Sequence, residues 1–308
     1  MKRAYQILGR NRSRVAVVAM CAGCVTGMVV ARGQEGPGEP KDYRGNYSVE
    51  VSYVGDSEIS EGSRLLGDLN TVQSRVNYLG TFKRTETYSI LAGVDWQRFS
   101  FGTPDGSAIP DSLQSAAVRV GNDWRFAEHW NLRTEVDPGL YSDFEDISGE
   151  DFNAPFSVRL GYSPNVNTTW VAGFGVNFWS DMPVIGGLGV RWRFAEAWTL
   201  NLILPRPRVE YRASEAVTRH LGGELTGGSY RVAEDFGTAM SRPELNGEIL
   251  DYRDIRVGGG LRWQLAKGIA LSGEGGWSID RRFHFDDPGL QLNGQGAAYV
   301  QIGISGSY

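Results

Sequence analysis

Cysteine is nearly missing from the 308-residue sequence, and the two that occur, Cys21 and Cys24, lie close to the amino terminus. Both fall inside a segment with the features of an export signal, so we expect none in the mature chain. Disulfides and thiolate metal sites are then excluded from the folded part. Histidine is also scarce, with three residues. Their positions do not have the spacing of a metal centre, and we expect neither a metal nor a cofactor.

The first 33 residues have the three parts of a secretory signal peptide. Five basic residues precede an apolar run from Val15 to Val30, and Ala31-Arg32-Gly33 supplies the small residues of a cleavage site. We therefore predict a signal peptide at 1–33, cleaved near Gln34, and a single domain at 34–308.

Two other interpretations of this segment are weaker. Ala22-Gly23-Cys24 is close to a lipoprotein cleavage box, but Cys21 stands where a branched apolar residue is expected. A retained membrane helix is disfavoured because the apolar run has about 16 residues, and spanning a bilayer takes roughly 20.

Removal of the signal leaves a strongly acidic chain. The signal contains six of the 31 Lys and Arg residues and none of the 36 Asp and Glu residues. Nucleic acid is not expected as a partner, because binding it requires a basic surface. The rest of the sequence also lacks an apolar run long enough to cross a bilayer as a helix. If this chain is a membrane protein, it has to be a closed barrel.

Strict alternation of apolar and polar residues points to that barrel, since successive side chains of a strand point to opposite faces. In the segment from Tyr252 to Leu265, one face is apolar and includes Ile255, Val257, Leu261 and Trp263. The segment 269–282 repeats the alternation after the short link Ala266-Lys267-Gly268. The two segments therefore predict a β-hairpin.

The same pattern along the chain predicts an all-β fold, a transmembrane antiparallel up-and-down β-barrel of about 12 strands. The predicted strands are 43–54, 70–82, 86–101, 113–126, 129–141, 154–163, 168–180, 184–194, 197–212, 252–265, 268–285 and 293–308. Short turns alternate with longer loops, including one at 55–69, as in outer-membrane barrels, and only the 181–183 connection departs from this rule.

Two segments complicate the strand pattern. In the strand 197–212, the apolar residues change face at Pro205-Arg206-Pro207, and we predict a β-bulge there. The longest loop, 213–251, contains a helix-like stretch from Ser214 to Leu221 that could act as a lid or plug.

Tryptophan positions test the barrel independently. Six lie within about three residues of a short turn: Trp124, Trp130, Trp170, Trp192, Trp198 and Trp263. Three lie farther along their strands: Trp96, Trp179 and Trp277. The separation is about 25 Å, the height of the apolar band between the two aromatic girdles of a membrane barrel. We therefore predict all nine as membrane-girdle residues.

One stretch of sequence occurs twice. Trp124–Leu132 and Trp192–Leu200 share the pattern Trp-Arg-Phe-Ala-Glu-x-Trp-x-Leu, and Arg262–Lys267 is a looser third copy. The spacing of about 70 residues indicates a recurring hairpin rather than a solenoid repeat.

The strand face opposite the apolar one carries many charges, and we assign it to the barrel interior. The predicted pore-lining residues are Arg119, Arg191, Arg193, Arg256, Arg262, Arg282, Asp254 and Glu274. Two interpretations of this face remain open. Either the arginines line a water-filled pore that draws anionic or polar solutes, or arginines and carboxylates pair and fill a small lumen.

The sequence offers little for catalysis. His129 lies in a predicted turn and His220 in the long loop. His284, with Asp280, Asp286 and Asp287, loosely resembles the acid and histidine groups of outer-membrane proteases, but acid-rich loop tips are common. We predict no catalytic residues and no enzyme activity.

Four segments together resemble a family of porin-like outer-membrane proteins that is catalogued only as a domain of unknown function. The segments are Leu204–Tyr211, Gly227–Arg231, Asp251–Gly258 and Asp280–Phe283. The resemblance covers most of the mature chain and implies a barrel in the outer membrane. It implies no substrate and no catalytic residue.

The sequence therefore predicts a porin-like channel of a bacterial outer membrane, exported through the periplasm, that passes small polar or anionic solutes. The alternatives are a plugged or structural barrel with a binding role, whose 213–251 segment folds inward, and an outer-membrane hydrolase. Expected partners are outer-membrane lipid and the barrel-assembly machinery, which would recognise the last strand ending at Tyr308. In that strand, Val300, Ile302 and Ile304 share a face with Tyr308.

Overall fold

The computed structural model describes residues 42–104 and 106–308. The predicted signal peptide at 1–33, with both cysteines, lies outside the described residues. Within the described part of the chain, no helix is long and apolar enough to cross a membrane.

Across residues 42–104 and 106–308, one sheet of seventeen strand segments makes up the fold, and it closes on itself. The segments are β1 Tyr43–Glu61, β2 Arg64–Lys83, β3 Tyr88–Gly102, β4 Ser112–Ala127, β5 Trp130–Val136, β6 Gly139–Ser142, β7 Phe152–Asn153, β8 Phe156–Asn165, β9 Thr168–Val176, β10 Val184–Trp192, β11 Trp198–Asn201, β12 Arg208–Arg212, β13 Val217–Arg231, β14 Ile249–Ala266, β15 Ile269–Phe285, β16 Leu290–Gly294 and β17 Ala297–Ser307. The described parts of the loops contain three single-turn 3-10 helices: Gly149–Asp151, Thr238–Met240 and Pro243–Leu245. The barrel is closed because β1 pairs antiparallel with both β2 and β17.

The wall contains fourteen strands, because three pairs of segments are halves of single strands: β5 with β6, β7 with β8, and β16 with β17. Prolines explain two of these breaks. Pro138 separates β5 from β6, and Pro155 separates β7 from β8. Proline has no N–H to donate to the ladder, so pairing stops and then resumes.

The prediction of about 12 strands is wrong by two, and both errors fall between residues 197 and 251. The segment predicted as the strand 197–212 is two strands, β11 and β12, joined by a turn at 202–207 instead of a bulge. The segment predicted as a loop contains β13, which pairs along its whole length with β14. The stretch 214–221 is accordingly a turn followed by a strand and not a helix.

Connections alternate between the two ends of the barrel. At one end, called the turn end, the links are 84–87, 128–129, 166–167, 193–197, 213–216 and 267–268. At the other, called the loop end, they are 62–63, 103–111, 143–151, 177–183, 202–207, 232–248 and 286–289. The predicted loop 55–69 is wrong, because β1 and β2 continue as paired strands to a two-residue link. The 177–183 link has seven residues and lies at the loop end, so it follows the rule, and the two-residue link 62–63 is instead the short one at that end.

The outer face of the barrel is apolar. Val257, Leu261, Trp263 and Leu265 of β14 are all exposed, and Val300 and Ile302 of β17 are exposed on the same side of the wall. Individually exposed apolar residues are ordinary on proteins, but a continuous belt of them marks a surface that meets another apolar phase.

The duplicated sequence forms the same aromatic row twice at the turn end. In the first copy, ring centroids are 5.5 Å apart for Trp124 and Phe126, and 6.4 Å apart for Phe126 and Trp130. In the second copy, Trp192, Phe194 and Trp198 are separated by 5.4 and 6.4 Å. The shared motif therefore builds the same turn-end structure in two hairpins.

Inside the loop end lies a buried apolar cluster, which we call the loop-end cluster. The inner faces of β3, β14 and β15 contribute Phe99, Tyr252 and Phe283, while the 232–248 loop contributes Phe236 and Leu245. The Phe101 and Phe283 rings lie 5.1 Å apart although their strands are not neighbours in the wall, so this contact crosses the interior. Burying these side chains together stabilises the loop end by removing apolar surface from water.

Candidate functional site: the barrel interior

A layer of hydrogen-bonded polar side chains lies below the loop-end cluster, and we call it the polar layer. At its centre, Arg256 donates through Nε to Asp254 at 2.7 Å and through Nη1 to Ser52 at 2.9 Å. Asp254 also accepts a hydrogen bond from Ser278 at 2.6 Å. Because β1 and β14 are not neighbours, the Ser52 contact crosses the interior. The Arg256 and Asp254 side chains are both 0% exposed, so these two charges face each other and not a solvent-filled passage.

The polar layer includes a second arginine, Arg206, which comes from the 202–207 turn. Its guanidinium donates to Glu224 of β13 at 2.8 Å and, through Nη1, to Glu50 of β1 at 2.9 Å. Glu50 receives a second bond from the other Nη atom, which makes the pair bidentate. Bidentate arginine–carboxylate pairs are strong and geometrically specific. Arg206 thus ties the turn to two separate strands of the wall, β13 and β1.

Closer to the turn end, His220 of β13 lies 2.7 Å from Glu274 through Nε2 and Oε2. Tyr299 of β17 donates to the other oxygen of the same carboxylate. These contacts join three strands across one side of the interior. The three side chains bond to one another, and the group has the form of a structural network.

The opposite side of the interior is lined by a second charged network. Arg119 forms a bidentate pair with Asp137, both distances being 2.8 Å. Arg75 donates to Asp95 at 3.0 Å. Farther along the wall, Arg133 and Arg159 both bind Glu135.

Two cavities open at the turn end. The first has a volume of about 400 Å³ and its lining includes Arg191, Arg193, Glu210 and Arg212. The second, of about 430 Å³, is lined in part by Asp123, Arg125 and His129. The Arg191 side chain is 60% exposed, in contrast to the buried arginine of the polar layer. We call the first cavity the arginine basin.

The predicted pore-lining residues therefore occupy different environments. Arg191 and Arg193 line the arginine basin, and Arg262 is exposed on the inner side of β14 near the turn end. Arg119, Asp254, Arg256 and Glu274 take part in ion pairs or hydrogen bonds within the interior. Whether any of them contacts a passing solute stays a prediction.

Arg282 lies on the other face of its strand. The register between β14 and β15 shifts at Ile279, where one extra residue is inserted. Beyond this bulge, Arg281, Phe283 and Phe285 are buried in the interior while Arg282 and His284 point the other way. A strand with period two changes face after one inserted residue. Arg281, which is fully buried, thus takes the inner position predicted for Arg282.

Eight of the nine tryptophans predicted for the girdles lie on strands or at their ends. Those of the turn-end row are exposed on the outer face, as is Trp277 higher on β15. Trp179 differs, because it lies in the 177–183 loop, where the Arg231 guanidinium is 5.9 Å from its ring centroid. Contact of these rings with a membrane interface stays a prediction.

Sequence reasoning missed Arg206, Glu224 and Arg281 as members of the interior. A signal for Arg206 was present, since an arginine between two prolines at a break in strand pattern marks a turn. Glu224 was missed because Gly222 and Gly223 of β13 are neither apolar nor polar, so the alternation of apolar and polar residues is interrupted just before it.

Interactions at the loop end hold two loops together. Asp143 is buried and accepts hydrogen bonds from the backbone N–H groups of Ala233 and Glu145, at 2.8 and 3.1 Å. Burial raises the pKa of the Asp143 carboxyl above its ordinary value, despite these donors. The carboxylate fixes the start of the 232–248 loop against the 143–151 loop.

Within the described residues, no group of three or more histidine, cysteine, aspartate or glutamate side chains could hold a metal ion. His284, the histidine considered for hydrolysis, has its Nε2 atom 3.7 Å from Asp286 and lies away from the interior.

The fold and the two kinds of surface define a closed antiparallel β-barrel with an apolar outer belt and a polar interior. A family model described as Domain of unknown function (DUF6268) matches residues 71–293. The chain belongs to this family. No curated protein matches the sequence.

Several solved structures are distantly similar. An outer membrane channel from Pseudomonas putida F1 has a TM-score of 0.46 and 10% identity, covering 88% of this chain and 100% of that one. The P. putida toluene transporter TodX has a TM-score of 0.40 and 9% identity, covering 87% and 90%. The Ralstonia pickettii toluene transporter TbuX has a TM-score of 0.39 and 11% identity, also covering 87% and 90%. At TM-scores this low, nothing about the solutes of this chain rests on these similarities.

Proposed function

We propose that this chain is a channel of the bacterial outer membrane that conveys small polar or anionic solutes. The observation that carries the proposal is that the outer and inner faces of the wall differ in polarity. Large apolar side chains are exposed outside, and paired charges and an open cavity of about 400 Å³ lie inside. A bilayer accepts such an outer face, because strands paired around the wall bond most of their backbone polar groups within it.

The anionic preference is supported by the arginine basin. Arg191, Arg193 and Arg212 line it beside Glu196 and Glu210. Partly exposed guanidinium groups around a confined aqueous space raise the local concentration of anions. The buried Arg256, in contrast, is neutralised by Asp254 and is not proposed to select solutes.

The alternative of a plugged barrel with a binding or structural role is favoured by the loop-end cluster. Phe236 and Leu245 of the 232–248 loop are buried inside the barrel among aromatic residues of the wall. The part of the long segment that folds inward is thus 232–248, while 217–231 is wall.

Planar-bilayer recording distinguishes the two proposals. We expect single-channel steps from the purified protein, with a preference for chloride over potassium. The triple change Arg191→Gln, Arg193→Gln and Arg262→Gln should remove most of that preference, because it removes three exposed positive charges. Arg98→Gln is the matched control, since Arg98 is exposed on the outer face and bonds Ser100.

The plug is tested in the same recordings by replacing 234–246 with two glycines. The ends are already close, because the Gly247 N–H donates to the Ala233 carbonyl at 3.0 Å. A silent wild-type protein that conducts after this replacement would support the plugged barrel. Conducting wild-type protein with selectivity unchanged in the triple variant would contradict the anion preference.

A further inference from the structure

The wall of the barrel is incomplete beside β10. This strand pairs with β9 along all nine of its residues, from Val184 to Trp192. On its other side, it pairs with β11 only through Arg191 and Trp192, and Val190 adds one bond to Leu202. Among the described residues, 184–188 therefore have no strand partner on that side. An unpaired strand edge inside a wall is rare, because its N–H and C=O groups are costly to leave in lipid.

The missing partner has a definite cause. β11 ends at Asn201, and the chain then leaves the wall at the 202–207 turn. Pro205 and Pro207 have no N–H to continue a ladder with β10. Their carbonyls instead accept from Leu225 and Gly223 of β13, at 2.9 and 2.8 Å. The turn therefore stays attached to β13 and separates from β10.

Arg206 holds the turn in this position. Standing between the two prolines, it reaches into the interior and pairs with both Glu50 and Glu224. A strand that completed the wall would have to withdraw this guanidinium from two carboxylates. The ion pairs therefore favour the separated arrangement over a closed wall.

The resulting gap has clear borders. The Arg191–Asn201 pair closes it toward the turn end. Toward the loop end, the 177–183 loop closes it by contacts to the far side, where Asn177 donates to Ser229 at 3.0 Å and the Asp181 N–H donates to Asp251 at 2.8 Å. We call this gap the side opening.

Apolar side chains surround the side opening on the outside. They are Phe178, Met182, Val184, Leu188, Leu202 and Leu204, all exposed. Leu188 is 86% exposed, more than any other apolar residue placed within a strand of the described wall. On the inner side of the opening, few atoms cover β10. A Cβ atom added to Gly187 would have no neighbour within 4 Å, and Ile185 is 53% exposed. Gly187 and Ile185 lie on the face of β10 that also carries Arg191 of the arginine basin.

We propose that the side opening is a lateral entrance through which small amphipathic anions pass between the bilayer and the arginine basin. The apolar rim suits the apolar body of such a molecule, because transfer from lipid to the rim keeps apolar surface away from water. The exposed guanidinium of Arg191 suits its charged end. This proposal rests on the proposed channel function and specifies its entrance and solute class.

Liposomes that contain serum albumin test the entrance with 8-anilino-1-naphthalenesulfonate, an aromatic sulfonate that fluoresces when albumin binds it. Wild-type protein should speed entry of the sulfonate at least about tenfold over albumin-containing liposomes that lack the barrel. Gly187→Trp should remove most of that gain by filling the opening. Gly273→Trp is the matched control, because its side chain would also meet no atom within 4 Å, on a strand paired on both sides. Heat-modifiable gel mobility reports whether each variant has folded.

A second pair of variants covers a folding failure of Gly187→Trp. Leu188→Gln places a polar group on the rim and should slow entry several-fold, while Val300→Gln on the outer face of β17 should not. Equal entry rates within either pair of folded variants would overturn the side opening. Chloride conductance of the wild-type protein is read separately. Chloride conductance without sulfonate entry would overturn the lateral entrance and leave the channel standing. Sulfonate entry that depends on Gly187, without chloride conductance, would overturn the chloride-conducting channel and leave the lateral entrance standing.

Discussion

Replacing Asp254 with alanine is expected to lower the free energy of unfolding by about 3–5 kcal/mol, the usual cost of leaving a buried charge without its partner. Arg256 and Asp254 are both fully buried, so Arg256 cannot turn to water when Asp254 is lost. Ser52 would remain as one of its few hydrogen-bond acceptors. Urea unfolding of the protein in lipid vesicles, followed by tryptophan fluorescence, measures this loss.

Two variants sharpen that test. Asp254→Leu combined with Arg256→Met removes both charges and should recover most of the loss, because an apolar pair of similar volume avoids the desolvation cost. Arg253→Ala breaks the Arg253–Asp280 pair on the adjacent position of the same strand, where both side chains are about a third exposed. Its expected cost is below about 1 kcal/mol. Equal losses for Asp254→Ala and Arg253→Ala would contradict a buried pair.

Arg206→Met is expected to loosen the 202–207 turn and raise the exchange rates of the Gly223 and Leu225 amides at least about tenfold, equivalent to about 1.4 kcal/mol of lost protection. Both amides donate to carbonyls of the turn, and Arg206 fixes that turn to Glu50 and Glu224. Hydrogen–deuterium exchange with mass spectrometry measures the change peptide by peptide.

The control for Arg206 is Arg212→Gln, since the Arg212 side chain of β12 donates to the Glu196 backbone carbonyl at the turn end. Adding Glu50→Gln and Glu224→Gln to Arg206→Met should restore part of the protection, because the unpaired carboxylates then no longer repel each other. If Arg206→Met and Arg212→Gln changed exchange equally, the turn would not depend on the ion pairs, and the cause we give for the side opening would be wrong.

The alternating part of the sequence predicted the fold well. From Asp254 to Leu265, apolar residues or glycine alternate with polar residues or glycine, and the structure places Val257 and Leu261 on the outer face of β14 and Asp254 and Arg256 on the inner face. The short link after Leu265 also forms the predicted hairpin. Membership of a family of unknown function agrees with the resemblance found in the sequence.

Errors arose where local pattern and tertiary contacts disagree. The bulge at Ile279 leaves the pattern of charged and apolar residues intact in the sequence while exchanging the faces of Arg281 and Arg282. The Pro205-Arg206-Pro207 segment looked like a flaw in one strand because short strands on either side resemble one long strand. Its role depends on Glu50, 156 positions away, and no local pattern contains that pairing.

The division of the interior into an apolar cluster, a polar layer and an arginine basin could not be predicted either. Alternation tells which face a residue is on, but not how far across the lumen its side chain reaches. Arg191 and Arg256 each stand between two apolar residues of an alternating strand, so the sequence does not distinguish them. The structure nevertheless places the first at an open cavity and gives the second a buried partner.

Spin labels along β14 test the orientation of the wall most directly, and no native cysteine lies among the described residues. Single cysteines at Val257, Leu261 and Leu265 should collide with oxygen dissolved in lipid, while those at Arg262 and Gln264 should collide with a water-soluble nickel chelate. We expect this two-residue period in protein reconstituted in vesicles. A reversed period, or equal exposure of all five positions to the nickel chelate, would contradict it.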